Sequence, residues 1–177
     1  MVKKIVKFFI YLSFFILALI YFTPKVNLYY FGESKLKSYD VVVTDERLKD
    51  NGFSLNIKDG TVVVKSIDSA RFENIDVRLL GLYNFISVDN ITLASTAKAF
   101  IPVVINKINI QYHILNPLNI DIFAIGEFGK VRAVFNLLKM ELDLHLTPSK
   151  LMKTKYQNGL KYLKKSENGE FTYVKAF

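Results

Sequence analysis

The 177-residue chain contains no cysteine, which excludes disulfides, thiolate-held metal ions and cysteine nucleophiles and leaves the redox compartment unmarked. Histidine is almost as scarce: only His113 and His145 are present, too few for a multi-histidine metal centre. Both sit on the polar side of alternating segments, where a lone histidine reads as a solvated surface residue. Acid is missing from the N-terminal end, where residues 1–25 hold four lysines and no Asp or Glu. Catalytic signatures are lacking as well. There is no GxxxxGK[ST], no GxSxG and no HExxH. Glu141 and Asp143 share a face with Lys139 and His145, which makes a mixed-charge solvent face rather than an acid–base pair. Gly126-Glu127-Phe128-Gly129 lies between two alternating segments and opens no helix, so it reads as a turn and not a phosphate cradle. The reading is that the chain is not an enzyme and needs no cofactor.

Charge is present in excess, at +8, but it is placed at the ends. Residues 148–177 carry seven lysines against Glu167 and Glu170, whereas residues 26–147 hold 13 basic and 14 acidic side chains and are close to neutral. A nucleic-acid-binding domain concentrates its positive charge on the folded body, where it can follow phosphates. The aromatic residues belong mainly to the apolar N-terminus and the strands and form no base-stacking platform. Basic ends around a neutral body point to a membrane neighbour and away from nucleic acid.

The long apolar run Phe8 to Phe22 (FFIYLSFFILALIYF) supplies that neighbour. Extended back to Ile5, it spans about 27 Å as a helix, close to a hydrocarbon core of about 30 Å. Lys3, Lys4 and Lys7 precede it and place the N-terminus in the cytoplasm by the positive-inside rule. Tyr21, Phe22, Tyr29, Tyr30 and Phe31 follow as an interfacial aromatic belt. A cleaved signal peptide needs small residues after the run, and Leu-Ile-Tyr-Phe-Thr-Pro-Lys offers none. Residues 1–24 therefore read as a cytoplasmic tip and signal-anchor, 25–39 as a stalk, and 40–177 as an extracytoplasmic domain.

That domain reads as mainly β. Val41–Val43, Phe53–Lys58, Thr61–Lys65, Ala70–Leu80, Tyr83–Val88 and Ile91–Ala94 form a meander, with turns expected at Asp59-Gly60 and Asp89-Asn90. Val104, Ile108, Ile110, Tyr112 and Ile114 share a face, Pro117 ends that strand, and Ile120, Ile122 and Ala124 follow. Met140, Leu142, Leu144 and Leu146 alternate strictly with polar neighbours. The expected fold is a curved antiparallel sheet of about eight strands, apolar on one face, with one C-terminal amphipathic helix near 149–164 and a final strand near 170–176. Met152, Tyr156, Leu160 and Leu163 line one side of that helix, and Lys150, Lys153, Lys161 and Lys164 form a stripe about 100° away. The lysines read as the solvent side of a sheet-capping helix, a membrane-surface contact or a contact with an acidic partner.

One wide apolar face must be covered by something. Val104, Ile108, Ile110, Ile120, Ile122, Met140, Leu142 and Leu144 are its lining, either as plain core or as a lipid-facing trough.

The order of features carries a resemblance: the anchor, Leu28-Tyr29-Tyr30-Phe31, the hairpin body with Phe100-Ile101-Pro102, then Ala124-Ile125-Gly126-Glu127-Phe128-Gly129 and a strand ending in Leu146-Thr147-Pro148-Ser149. This order resembles the type II secretion system protein N family and is similar to the wider AsmA-like group of membrane-anchored β proteins. The resemblance implies an inner-membrane protein with a periplasmic β domain, accessory to protein secretion or envelope assembly, with no enzymatic residues to carry over. Its AsmA-like side implies a sheet whose apolar face holds lipid acyl chains. Two functions are therefore expected: an interaction module for secretion or envelope proteins, or a lipid- or acyl-chain-binding module.

Overall fold

In the computed structural model, which describes residues 2–177, the apolar run is helix α1 (Val2–Phe22). Its stretch Lys3–Phe22 is long and apolar enough to cross a membrane and is not buried by the rest of the chain. Pro24 breaks the helix, and helix α2 (Lys25–Lys37) begins at once. The segment 25–39, which the sequence reads as a stalk, is helical over Lys25–Lys37. Val26 and Tyr29 of α2 pack on the sheet, so the segment covers part of the apolar face.

The joint between the two helices turns on Lys25, whose side chain is only 1% exposed. Its ammonium donates to the carbonyls of Ile20 (3.0 Å) and Thr23 (3.2 Å) and lies 3.8 Å from Asp50 Oδ1. The last-turn carbonyls of a helix lack intrahelical donors and carry the negative end of its dipole, so a cation is favoured there. Asp50 supplies the opposite charge that makes burying it tolerable. Beside it, the Tyr21 ring meets Phe53 edge to face at 5.3 Å and occupies the space that a side chain on Gly52 would need. Tyr29 donates to Glu46 Oε1 at 3.3 Å. Burial first, then the carboxylates of Glu46 and Glu33, push its phenol well above the usual range, so it remains a donor at physiological pH.

The body is one antiparallel sheet of eleven strands: β1 (Val41–Thr44), β2 (Arg47–Asp50), β3 (Leu55–Val64), β4 (Ile67–Leu79), β5 (Tyr83–Leu93), β6 (Val104–His113), β7 (Asn119–Gly126), β8 (Gly129–Asn136), β9 (Glu141–Pro148), β10 (Lys164–Lys165) and β11 (Phe171–Ala176). From β3 to β9 each strand pairs with the next in sequence, while β1 and β2 share the outer edge of β3 and β11 pairs with β9. Register sets apolar residues in unbroken rows. One row runs Leu48, Ile57, Ile75, Val88, Ile108, Ala124, Val131, Leu146, Phe171.

Two expected turns are absent. Asp59-Gly60 lies inside β3 and Asp89-Asn90 inside β5, and the β3–β4 hairpin turns instead at Lys65-Ser66. Asp59 (φ 57°) and Asn90 (φ 53°) are left-handed, and Asp and Asn tolerate that conformation best after glycine. The local signal is the same as that of a turn, but here it marks a crease. Pairing is interrupted in line at Asp59, Glu73, Asn90 and Asn106, and it ends as a register shift against β7 between Ile105 and Lys107. Across the crease each strand's inward set steps by one residue, from Ile57 to Val62, Ile75 to Phe72, Val88 to Ile91 and Ile108 to Ile105. The Phe72 ring covers Gly60, its partner in the neighbouring strand.

The expected single helix near 149–164 is two short ones, α3 (Lys150–Lys155) and α4 (Gln157–Leu160). Ser149 caps α3 by accepting from the Met152 N–H at 3.1 Å, and Tyr156 (φ −117°, ψ 34°) breaks the run. Met152, Tyr156 and Leu160 are buried against Ala124, Phe128 and Leu146, which forms one core; Leu55, Ile57, Phe72 and Ile91 form the other, beneath α2.

Replacing Lys25 with Met should leave two helix carbonyls and Asp50 without their partner. The expected loss is about 1–3 kcal/mol in denaturant unfolding of the full chain in detergent. Lys37→Met, at the exposed end of the same helix, should change stability by less than about 0.5 kcal/mol.

Candidate functional site

The two cores meet at Ile105 and Ile108, and the rows of the same face that lie beyond them, toward the β6–β7 turn, are mostly only half-buried. The helices α3 and α4 seat on the row through Ala124 and Leu146, and α2 seats near Val43, Leu55 and Val77. The next row, Ile86, Ile110, Ile122, Ala133, Leu144 and Tyr173, runs across six strands. Beyond it lie Ile120, Phe135 and Leu142. Most of these side chains are only half-buried. Among the described residues just eleven apolar side chains other than proline are buried, few for a sheet of this width, so no second layer closes the face. Between α2 and the sheet, Leu28, Leu36, Leu55, Val77 and Leu79 also line a cleft of about 220 Å³.

Of the eight expected lining residues, the structure brings six together: Ile108 and Ile110 on β6, Ile120 and Ile122 on β7, and Leu142 and Leu144 on β9. Ile108 lies partly under the helices, whereas the row from Ile110 to Leu144 borders the open ground. Two were misplaced. Val104 points to the other face, where it lines a polar groove with Arg71, Glu73, Asn90 and Thr92, and Ile105 takes the inward position. The crease at Asn106 is the reason, because one extra residue reverses every side chain beyond it. Met140 is in the β8–β9 turn at φ 50° and largely exposed, outside β9. Sequence reading missed Phe135, Ala133 and Ile86 as parts of the same surface. Alternation gave each its parity, but only the register joined them into rows.

The four lysines do not form one helical stripe. Lys150 and Lys153 are on α3, Lys161 follows α4, and Lys164 is in strand β10, paired with Thr172. All are exposed, and Lys153, Lys161 and Lys165 rim a groove floored by Leu160 and Phe171.

The opposite face is polar. Asn56 donates to Asn74 (2.6 Å), Asn74 to Asp89 (3.3 Å), and Lys107 pairs with Asp89 (3.4 Å), a ladder across four strands. His113 lies 4.0 Å from Asp121, and His145 lies 3.4 Å from Asp143. The first pair crosses from β6 to β7 and the second lies along β9, and both are exposed. Among the described residues no group of three His, Asp or Glu side chains is placed to hold a metal ion.

No protein-family model matches the chain, and no curated protein or solved structure is similar to it.

The division between core and open ground is measurable. Ile57→Asp puts a charge into a fully buried site and should abolish the cooperative unfolding transition. Ile122→Asp, on the half-exposed row, should leave a folded domain by circular dichroism. Its stability loss should be a few kcal/mol at most, about 1–3, as for burial of a poorly satisfied polar group.

Proposed function

We propose that this chain is a single-pass membrane protein whose extracytoplasmic β domain holds a lipid acyl chain on its apolar sheet face. The observation that carries the reading is the half-exposed row Ile86–Ile110–Ile122, apolar across neighbouring strands and outside both helix-covered cores. A soluble surface rarely keeps so wide a contiguous apolar patch without an occupant. Acyl chains match its chemistry, being apolar, linear and available from the bilayer in which α1 would sit. Lys3, Lys4 and Lys7 favour a cytoplasmic N-terminus, and the reading takes the body as lying in the periplasm beside an inner membrane.

A second reading is an accessory docking module in protein secretion or envelope assembly. It draws on β1, which has a partner strand on one side only and could accept a strand from another protein on the other.

Native mass spectrometry of the full chain released from detergent separates the two. The lipid reading expects a stoichiometric phospholipid mass that the paired substitution Ile110→Asp with Ile122→Asp abolishes while the domain stays folded. A clean protein mass from a folded wild-type chain would overturn it and leave the docking reading.

A further inference from the structure

The register fixes which loops share an end of the sheet. The row Leu55–Val77–Ile86–Ile110–Ile122–Ala133–Leu144 crosses the antiparallel strands β3 to β9 near the end of the sheet that holds the loops 51–54, 80–82, 114–118 and 137–140. These four loops form one rim. It carries Phe53, Leu82, Leu115, Leu118, Leu138 and Met140, all exposed, with Leu115 at 91% and Leu138 at 75%. Lys139 is the only charged residue in the four loops. Turns are normally the most polar parts of a β protein, so leucine at tip after tip is not explained by folding. The loops at the opposite end carry Lys65, Ser66, Lys98, Glu127 and Glu167 alongside Phe100.

The anchor helix ends at this same rim. Tyr21 in its last turn packs on Phe53 and Gly52 of the first loop, and Lys25 ties its final carbonyls to Asp50 at the foot of that loop. Whatever α1 is embedded in therefore lies against the apolar rim.

We infer that the rim is a membrane-docking surface, and that its loop tips insert into the leaflet from which α1 emerges. Proline and asparagine shape the longest loop, Ile114–Leu118, and its Leu115 at 91% and Leu118 at 48% exposure offer apolar surface to lipid. Insertion also gives the open part of the apolar face an entrance. The helices α3 and α4 cover the rows toward the far end, so the uncovered rows of Ile122 and Ile120 lead down to the rim. An acyl chain could pass from the leaflet onto the sheet without crossing water. This inference rests on α1 being a membrane anchor, but not on the sheet face being occupied.

The absence of cysteine makes the test direct. Full-length chains carrying one substitution each, Leu115→Cys, Leu138→Cys, Leu12→Cys or Ser66→Cys, are labelled with an environment-sensitive fluorophore. They are then reconstituted into phosphatidylethanolamine–phosphatidylglycerol vesicles containing acyl-chain nitroxide lipids. The expected result is strong quenching by the lipid nitroxide at 115 and 138, as at 12, and quenching at 66 by a water-soluble quencher alone. Lipid quenching at 12 with only aqueous quenching at 115 and 138 would overturn the rim and leave the anchor in place. Aqueous quenching at 12 would overturn the anchor and the rim together. Lipid retained in the mass experiment despite an aqueous rim would leave the acyl-chain reading intact.

Discussion

An antiparallel ladder that alternates apolar and polar residues has one face to hide, and this chain supplies little to hide it with. The eight strands β3–β9 and β11, at about 4.8 Å spacing and about 3.3 Å per residue, make a face of about 38 by 26 Å. The helices laid on it hold 13, 6 and 4 residues. At 1.5 Å per residue and about 10 Å of width they cover about a third of that face. The shortfall accounts for the half-buried rows beside the two cores and for the small number of buried apolar side chains.

The covering helices are held by different means. Ser149 fastens the start of α3 by accepting the Met152 N–H and by donating to the Glu127 carbonyl at 2.5 Å, which ties it to the β7–β8 turn. Helix α2 is held through Lys25, Val26 and Tyr29, and its first residue is also the cap of the helix before it. A single ammonium thus joins the apolar helix, the covering helix and the first hairpin. A change in the tilt of α1 would be felt by the sheet through that group and through Tyr21, which packs on Phe53.

The crease gives the sheet its second organising feature. It allows the inward set to continue past Asp59, Glu73, Asn90 and Asn106 with its parity reversed, so Phe72, Ile91 and Ile105 extend the core where strict alternation would have turned them out. Sequence periodicity assumes flat strands. It therefore placed Val104 on the wrong face, and it read Asp59-Gly60 and Asp89-Asn90 as turns because left-handed Asp and Asn serve turns and interrupted strands alike.

By itself the sequence determined what depends on neighbours within a few residues: an apolar helix of spanning length, a mainly antiparallel β body, and the shared face of Ile108, Ile110, Ile120, Ile122, Leu142 and Leu144. Each follows from local periodicity or from composition. Tertiary structure decided what depends on pairing between distant segments. Residues 25–37 became a helix against the sheet because Lys25 found Asp50 and Tyr29 found Glu46. The terminal helix broke at Tyr156, whose side chain is buried with Met152 and Leu160 on the sheet. Register alone gathered the four leucine-bearing loops at the anchor's end, since residues more than eighty positions apart become neighbours only when the strands between them pair.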